Sequence, residues 1–126
     1  MRGFVKNIEE LTKKNDYFRE VLFTAPHCQL VVMSLLPNED IGEEVHTLDQ
    51  FLRVESGEGK VFLDGESTDI RDGFAIVVPA GTKHNLINTS SNRPLKLYTV
   101  YAPPQHRDGT IHKNKAEALE DESDHY

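Results

Sequence analysis

The stretch GFAIVVPAGTKHNLIN, residues 73–88, carries the strongest indication of the fold. Its first apolar run, FAIVV, ends at Pro79-Ala80-Gly81, and a second strand-like run begins close to His84. Proline and glycine at such spacing indicate a tight turn, so two strands joined by a reversal are expected. A histidine in a buried strand needs a hydrogen bond or a metal ion to satisfy its ring. His84 therefore points to a site whose other members lie elsewhere in the chain.

Short strand patterns separated by turn residues occupy residues 18–101. The predicted strands cover residues 18–24, 28–36, 49–56, 60–65, 66–71, 74–78, 83–89 and 94–101. So many closely spaced strands predict an all-β sandwich or barrel. Residues 7–14 have an asparagine cap, early acids and late lysines, which predicts a short helix. Prolines after residue 101 exclude a central strand, and residues 113–122 suit a second helix before a frayed tail.

Length and charge narrow the class of protein. The 126 residues predict one domain, 1–126, with a barrel core at about 18–101 and a C-terminal extension at 102–126. The net charge of −7 argues against nucleic-acid and anionic-membrane partners. Without a membrane-spanning run or the apolar core of a signal peptide, a cytoplasmic location is expected. Cys28, the only cysteine, excludes an intramolecular disulfide and is predicted to be buried and inert.

Polar residues earlier in the chain could share a site with His84. Glu44 and His46 face the same way in an extended chain, because side chains alternate with period two. Gln50 opens the next strand on the face that it shares with Leu52. Glu44, His46, Gln50 and His84 form a mixed nitrogen and oxygen set that suits Mn, Fe, Co, Ni or Zn. Taken singly, each residue has a commoner role as a solvated or hydrogen-bonded side chain.

Together these segments resemble the two motifs of the cupin superfamily. The second cupin motif is a glycine, five residues, Pro-x-Gly, two residues, a histidine, three residues and an asparagine. The chain matches it fully, at Gly73, Pro79, Gly81, His84 and Asn88. The flanks also resemble those of small single-domain bacterial cupins, some of which are loosely labelled mannose-6-phosphate isomerase-like.

The first cupin motif is matched in spacing but altered in residue type. It is usually His-x-His, three or four residues, a glutamate, six residues and a glycine. Here Glu44 stands in place of the first histidine and Gln50 in place of the glutamate, while His46 and Gly57 keep their places.

The resemblance, which covers residues 35–101, implies an antiparallel cupin (jelly-roll) β-barrel with short N- and C-terminal helical segments. It implies a divalent transition metal in the barrel mouth, held by Glu44, His46, Gln50 and His84. Two imidazoles, one carboxylate and one amide leave a net charge of +1, as three histidines and one glutamate do. That balance favours a retuned metal site. The alternative is a lost site, because an amide oxygen is a weak ligand.

A metal with open positions can polarise a substrate oxygen or hold dioxygen beside a substrate. The resemblance thus implies a small metalloenzyme of isomerase or oxygenase type acting on a small polar substrate, in which an unbound Glu44 could be the base. The alternative is a non-catalytic cupin that binds or stores a ligand or metal. His106 and His112 form either a lid or exposed loops. The residues suggested to line the pocket are Leu52, Phe62, Leu86 and Tyr98.

Residues 28–36, CQLVVMSLL, are apolar on both faces. A strand of this kind cannot have one face in water, so it is expected to lie between sheets or in a subunit interface. Small cupins are commonly dimers, and an isologous homodimer is predicted.

Overall fold

The computed structural model of the protein describes residues 2–121. In chain order the elements are α1 (Ile8–Lys14), β1 (Arg19–Thr24), β2 (Gln29–Leu35), β3 (Asp49–Ser56), β4 (Glu58–Leu63), β5 (Glu66–Arg71), β6 (Ala75–Val78), β7 (His84–Asn88), β8 (Leu95–Ala102), β9 (Ile111–His112) and α2 (Lys115–Glu120). All the predicted strands and both helices form, and β9 was not predicted. None of the helices in residues 2–121 combines the length and apolar character that crossing a membrane requires. The predicted frayed tail lies outside the described residues.

The strands form two antiparallel sheets that share one core. The larger sheet has the order β6-β3-β8-β2-β1-β9, and the smaller has the order β5-β4-β7. Residues 39–44 run along the free edge of β7, with bridges from Asp40 to Ile87 and from Glu44 to His84. Buried side chains from both sheets meet in one apolar cluster. The predicted all-β, jelly-roll fold with short terminal helices is confirmed.

The period-two pattern of the strands builds the core. In β2 the inward residues Val31, Met33 and Leu35 are fully buried, and in β3 Leu52 and Val54 are buried in the same cluster. Burying an aliphatic side chain of this size contributes about 1.5–3 kcal/mol. Because Gln50 shares this inward face, the same alternation carries its amide into the interior.

The outer face of β2 is buried as well. Val32 is 1% exposed there, and α1 packs across β2, β3 and β8. Lys96 of β8 reaches the end of this helix, where its Nζ donates to Asp16 at 2.8 Å. β2 was predicted to lie between sheets or in a subunit interface, but the layer that covers its outer face is the helix α1. Since the chain's own helix supplies the second layer, β2 needs no subunit interface, and the homodimer stays a prediction that light scattering can test.

The C-terminal extension is attached by β9, which pairs with β1. His112 is 2% exposed: Arg19 donates to its Nδ1 at 3.1 Å, and its Nε2 donates to Asp121 at 2.9 Å. His106 is 3% exposed. The reading of both histidines as exposed loop residues is therefore wrong, because a strand pairing that the sequence did not reveal buries His112 and a side chain of β2 holds the segment of His106.

Cys28 is exposed, so the predicted buried thiol is wrong. The reason is a boundary: β2 begins at Gln29, and Cys28 belongs to the turn before it. Because the strand begins one residue later than predicted, Cys28 is not buried by it.

Helix α2 is tied to residues 39–44 by an ion pair between Lys115 and Asp40. Hydrogen bonds from Lys115, and then from Asn85, hold the pKa of Asp40 below its usual range. A carboxyl group with a depressed folded-state pKa stabilises the fold above its unfolded pKa, and this contribution is lost as pH falls through the folded pKa.

Asp40→Asn is accordingly expected to lower the free energy of unfolding by about 0.5–1 kcal/mol at pH 7. The difference from the wild-type protein should begin to shrink as pH falls below about 3.9, the unfolded-state pKa of an aspartate, and should disappear only below the lower folded-state pKa of Asp40. Urea unfolding at neutral and acid pH measures both effects. Asp69→Asn is the matched control, because Asp69 pairs with Lys60 while 88% exposed. An unchanged difference across the pH range would contradict the role of Asp40.

Candidate metal centre

The side chains of Glu44, His46, Gln50 and His84 line a single void between the two sheets. Its volume is about 10 Å³, the space of one water molecule. The remaining lining residues are mostly apolar and comprise Ile41, Leu52, Val61, Val78, Asn85, Leu86 and Tyr101. The structure thus brings all the predicted ligands to one place and leaves room there for an ion rather than a substrate.

The turn between β6 and β7 delivers His84 to the void. Gly81 has φ +84°, a left-handed conformation that favours glycine. Its N–H donates to the carbonyl of His46 at 2.8 Å, while the N–H of Ala80 donates to the Asp49 carboxylate at 2.9 Å. These bonds hold the turn against residues 46–49, so both cupin motifs converge.

The ring of His84 is oriented by its own turn. Its Nδ1 lies 2.9 Å from the carbonyl oxygen of Thr82. A carbonyl can only accept, so Nδ1 carries the proton and donates. In the neutral ring Nε2 then holds the lone pair that a metal ion needs. His84 is 8% exposed, and burial together with this bond restricts its ring to one orientation.

Glu44 lies beside His84 through the backbone and beside His46 through its side chain. The N–H groups of Glu44 and His84 each donate to the other residue's carbonyl at 2.9 Å. Glu44 Oε2 is 3.4 Å from His46 Nε2, and the rings of His46 and His84 are 5.0 Å apart. Two ligands bound to one ion at about 2.1 Å lie roughly 3.0–3.4 Å from each other. The Glu44–His46 distance fits that spacing.

Gln50 points a buried amide into the void. Gln50 is only 4% exposed, and its Nε2 donates to Thr99 Oγ1 at 3.0 Å. Its Oε1 is buried without a hydrogen-bond partner. A buried acceptor left unsatisfied costs about 1–3 kcal/mol, which a cation beside it would offset. The donor set present therefore fits a divalent ion.

The side chains that line the void do not yet form a complete coordination sphere. Within residues 2–121, no group of three or more His, Cys, Asp or Glu side chains has the spacing of a metal site. For Glu44, His46 and His84 to bind one ion, at least one of these side chains has to move. The oxygen of Gln50 would then be the fourth ligand.

The structure adds a supporting residue that the sequence analysis missed. Asn85 accepts from the N–H of Gly42 at 3.0 Å and donates to Asp40 at 3.0 Å, so it fixes the segment that carries Glu44. The sequence feature that could have indicated this role is the position of Asn85 directly after His84. Alternation assigns Asn85 to the opposite face of β7, and only the neighbouring residues 39–44 reveal its partners.

Two of the four residues that were suggested to line the pocket do line the void. Leu52 and Leu86 line the void. Tyr98 instead lies on the outer face of the large sheet, where its ring is 6.2 Å from that of Phe51, and Phe62 is absent from the void. The tyrosine that reaches the site is Tyr101, three residues further along β8 and on the other face.

Asn88 has a structural role. Its Nδ2 donates to the carbonyls of Leu35 and Arg93 at 3.1 and 2.8 Å, and its Oδ1 accepts from Ser90 at 2.9 Å. These bonds hold together the end of β7 and the turn that follows it.

Comparison with known proteins agrees with this architecture. The family model for the cupin domain matches residues 31–101, and the chain belongs to the cupin family. YrkC of Bacillus subtilis (strain 168) is 52% identical over 94% of this chain and 67% of its own length. The crystal structure of BH2720 from Bacillus halodurans is 51% identical, with a TM-score of 0.91 over 94% of both chains. TT1209 from Thermus thermophilus is 26% identical, with a TM-score of 0.69 over 79% of this chain and 96% of its own.

Proposed function

We propose that this cupin binds one divalent transition-metal ion through Glu44, His46, Gln50 and His84. It would act as a small metalloenzyme of isomerase or oxygenase type on a small polar substrate. One observation carries the proposal: a void of about 10 Å³ has a polar wall of two imidazoles, a carboxylate and an amide oxygen without a hydrogen-bond partner. An apolar core gains nothing from burying such groups unless a ligand satisfies them.

A bound ion would supply Lewis-acid chemistry, polarising a carbonyl or hydroxyl oxygen of the substrate. The protein side chains divide the other tasks. The side chain of His46 is 9% exposed and Gln50 is 4% exposed, so both suit permanent binding, whereas the side chain of Glu44 is 35% exposed. Glu44 is therefore the group that can exchange between holding the ion and accepting a proton from a substrate.

The substrate would approach from outside the void, which is too small to contain it. A larger cavity of about 550 Å³ shares Ile41 and Glu44 with the void. The rest of its lining mixes charged and apolar residues: Phe18, Arg19, Gly42, Glu43, Lys115, Ala118, Leu119 and Asp121. A cavity of this character suits a small polar molecule and ends at the most exposed of the proposed ligands.

A second candidate function is metal or ligand binding without turnover. The observation that favours it is the size of the void, which leaves no space for a substrate beside the ion unless a side chain moves. A panel of carbonyl, sugar and diketone compounds separates the two functions. Metal-dependent turnover supports the enzyme, and binding without turnover supports the alternative.

The metal proposal is tested by titrating chelator-treated protein with Mn²⁺, Fe²⁺, Co²⁺, Ni²⁺ and Zn²⁺ in a calorimeter. One equivalent is expected to bind to the wild-type protein. Gln50→Glu is expected to bind at least about tenfold more tightly, or about 1.4 kcal/mol, because a second carboxylate adds charge to the site. Gln50→Leu is the neutral variant without an oxygen ligand and should bind more weakly. Binding by Gln50→Glu but not by the wild type would identify a lost site and overturn the proposal.

A further inference from the structure

An aromatic row continues from the proposed metal site toward the C-terminal extension. The ring of Tyr101 stands edge-on to His46, with centroids 6.1 Å apart and an interplanar angle of 85°. The ring of His46 also contacts the ring of His84, with centroids 5.0 Å apart. The imidazole of His46 thus packs against two rings, next to a void with a volume of about 10 Å³. These contacts restrict the orientations that the imidazole can take.

Tyr101 is anchored by a second buried histidine. Its hydroxyl lies 3.3 Å from His106 Nε2, and the two rings are 5.1 Å apart at 79°. Both residues are 3% exposed. Burying a hydroxyl and an imidazole is unfavourable unless they are hydrogen-bonded, and the contact between them restricts both rings.

Gln29 holds His106 in this position. Its Oε1 accepts from the N–H of His106 at 2.9 Å and from that of Gln105 at 3.3 Å. Its Nε2 donates to the carbonyl of His106 at 2.7 Å and to Thr24 at 2.9 Å. Gln29 is fully buried, and three of these bonds fix the backbone of residues 105–106. Both Gln29 and His106 lie outside residues 31–101, the part that matches the cupin family model.

We infer that Tyr101 is a positioning residue for His46, and that His106, held by Gln29, keeps Tyr101 in place. The inference rests on the proposed function, because the orientation that Tyr101 protects is the one that presents His46 Nε2 beside Glu44. Metal affinity in this chain then depends on the segment that follows the barrel as well as on the four ligands.

The test uses Co²⁺ as the probe, because its visible absorption bands report the geometry of its ligands. Tyr101→Phe removes only the hydroxyl, and His106→Leu removes its partner at similar volume. Each is expected to lower Co²⁺ affinity about tenfold, the lower end of the range for groups that orient ligands, and to shift the bands. The double variant should lose no more than about what either single variant loses, because each change breaks the same Tyr101–His106 hydrogen bond. His106→Gln should restore affinity, because its amide can bond the hydroxyl.

His27→Leu is the matched control, since His27 is exposed in the turn before β2 and should leave Co²⁺ binding unchanged. Urea unfolding of the metal-free proteins records any structural cost separately. If the wild type binds Co²⁺ and Tyr101→Phe and His106→Leu keep its affinity and spectrum, the inference is overturned while the proposed function stands. Additive losses in the double variant would also overturn it. If the wild-type protein binds no Co²⁺, the proposed function fails, and this inference fails with it.

Discussion

His84→Ala is expected to lower the affinity for a divalent transition metal by more than about 100-fold. Removing a group that merely orients a ligand costs 10–100-fold, and His84 is itself a proposed ligand. Its Nδ1 bond to Thr82 leaves the Nε2 lone pair for the ion, and alanine has nothing to replace it. Elemental analysis of protein purified without chelator or histidine tag, followed by calorimetric titration, measures the loss.

The variant should remain folded, which makes this result interpretable. The backbone bonds between His84 and Glu44 do not involve the imidazole and persist in alanine. Only the hydrogen bond to Thr82 and some packing disappear, at a cost of about 1–2 kcal/mol. His27→Ala is the control for loss of a histidine outside the site. A His84→Ala protein that retains one equivalent of metal would exclude His84 as a ligand.

Gly57→Ala is expected to lower the free energy of unfolding by about 3 kcal/mol or more. Gly57 has φ +116°, and an added Cβ would lie 2.8 Å from the carbonyl oxygen of Pro94 and 3.0 Å from Leu95 Cα. These are backbone atoms at the start of β8, which cannot move aside as a flexible side chain would. The predicted loss is a large part of the roughly 5–15 kcal/mol that stabilises a typical domain. Urea unfolding followed by circular dichroism measures it.

Gly65→Ala separates the cost of backbone strain from the cost of a steric clash. Gly65 has φ +87° but no atom within 4 Å of an added Cβ, so its substitution introduces backbone strain without a clash. It should cost about 1–2 kcal/mol. Equal losses in Gly57→Ala and Gly65→Ala would show that close approach to β8 is unimportant. A larger loss at Gly57 would show why the first cupin motif ends in glycine: β3 turns into β4 directly over β8.

The strands were predictable because their signals are local. Turn residues and period-two alternation act over a few positions, so the ends of β3 and β5 agree with the predicted ranges. The Pro79–Gly81 turn and the strand on either side of it follow from the same short-range chemistry. Alternation alone placed Gln50 on the same face as Leu52, and the cupin motifs linked it to His84, 34 residues later.

What depended on tertiary structure was the pairing of residues far apart in the chain. The bonds from Gln29 to His106 and from Arg19 to His112 span 77 and 93 residues. No local pattern encodes such partners, so two histidines that read as loop residues proved to be buried. The amino-acid sequence thus determined the strands, the turns and the candidate ligands, because backbone preference and side-chain alternation are short-range. The folded chain determined which additional polar groups surround those ligands, because a buried polar group takes its partner from whatever the packing of the two sheets places beside it.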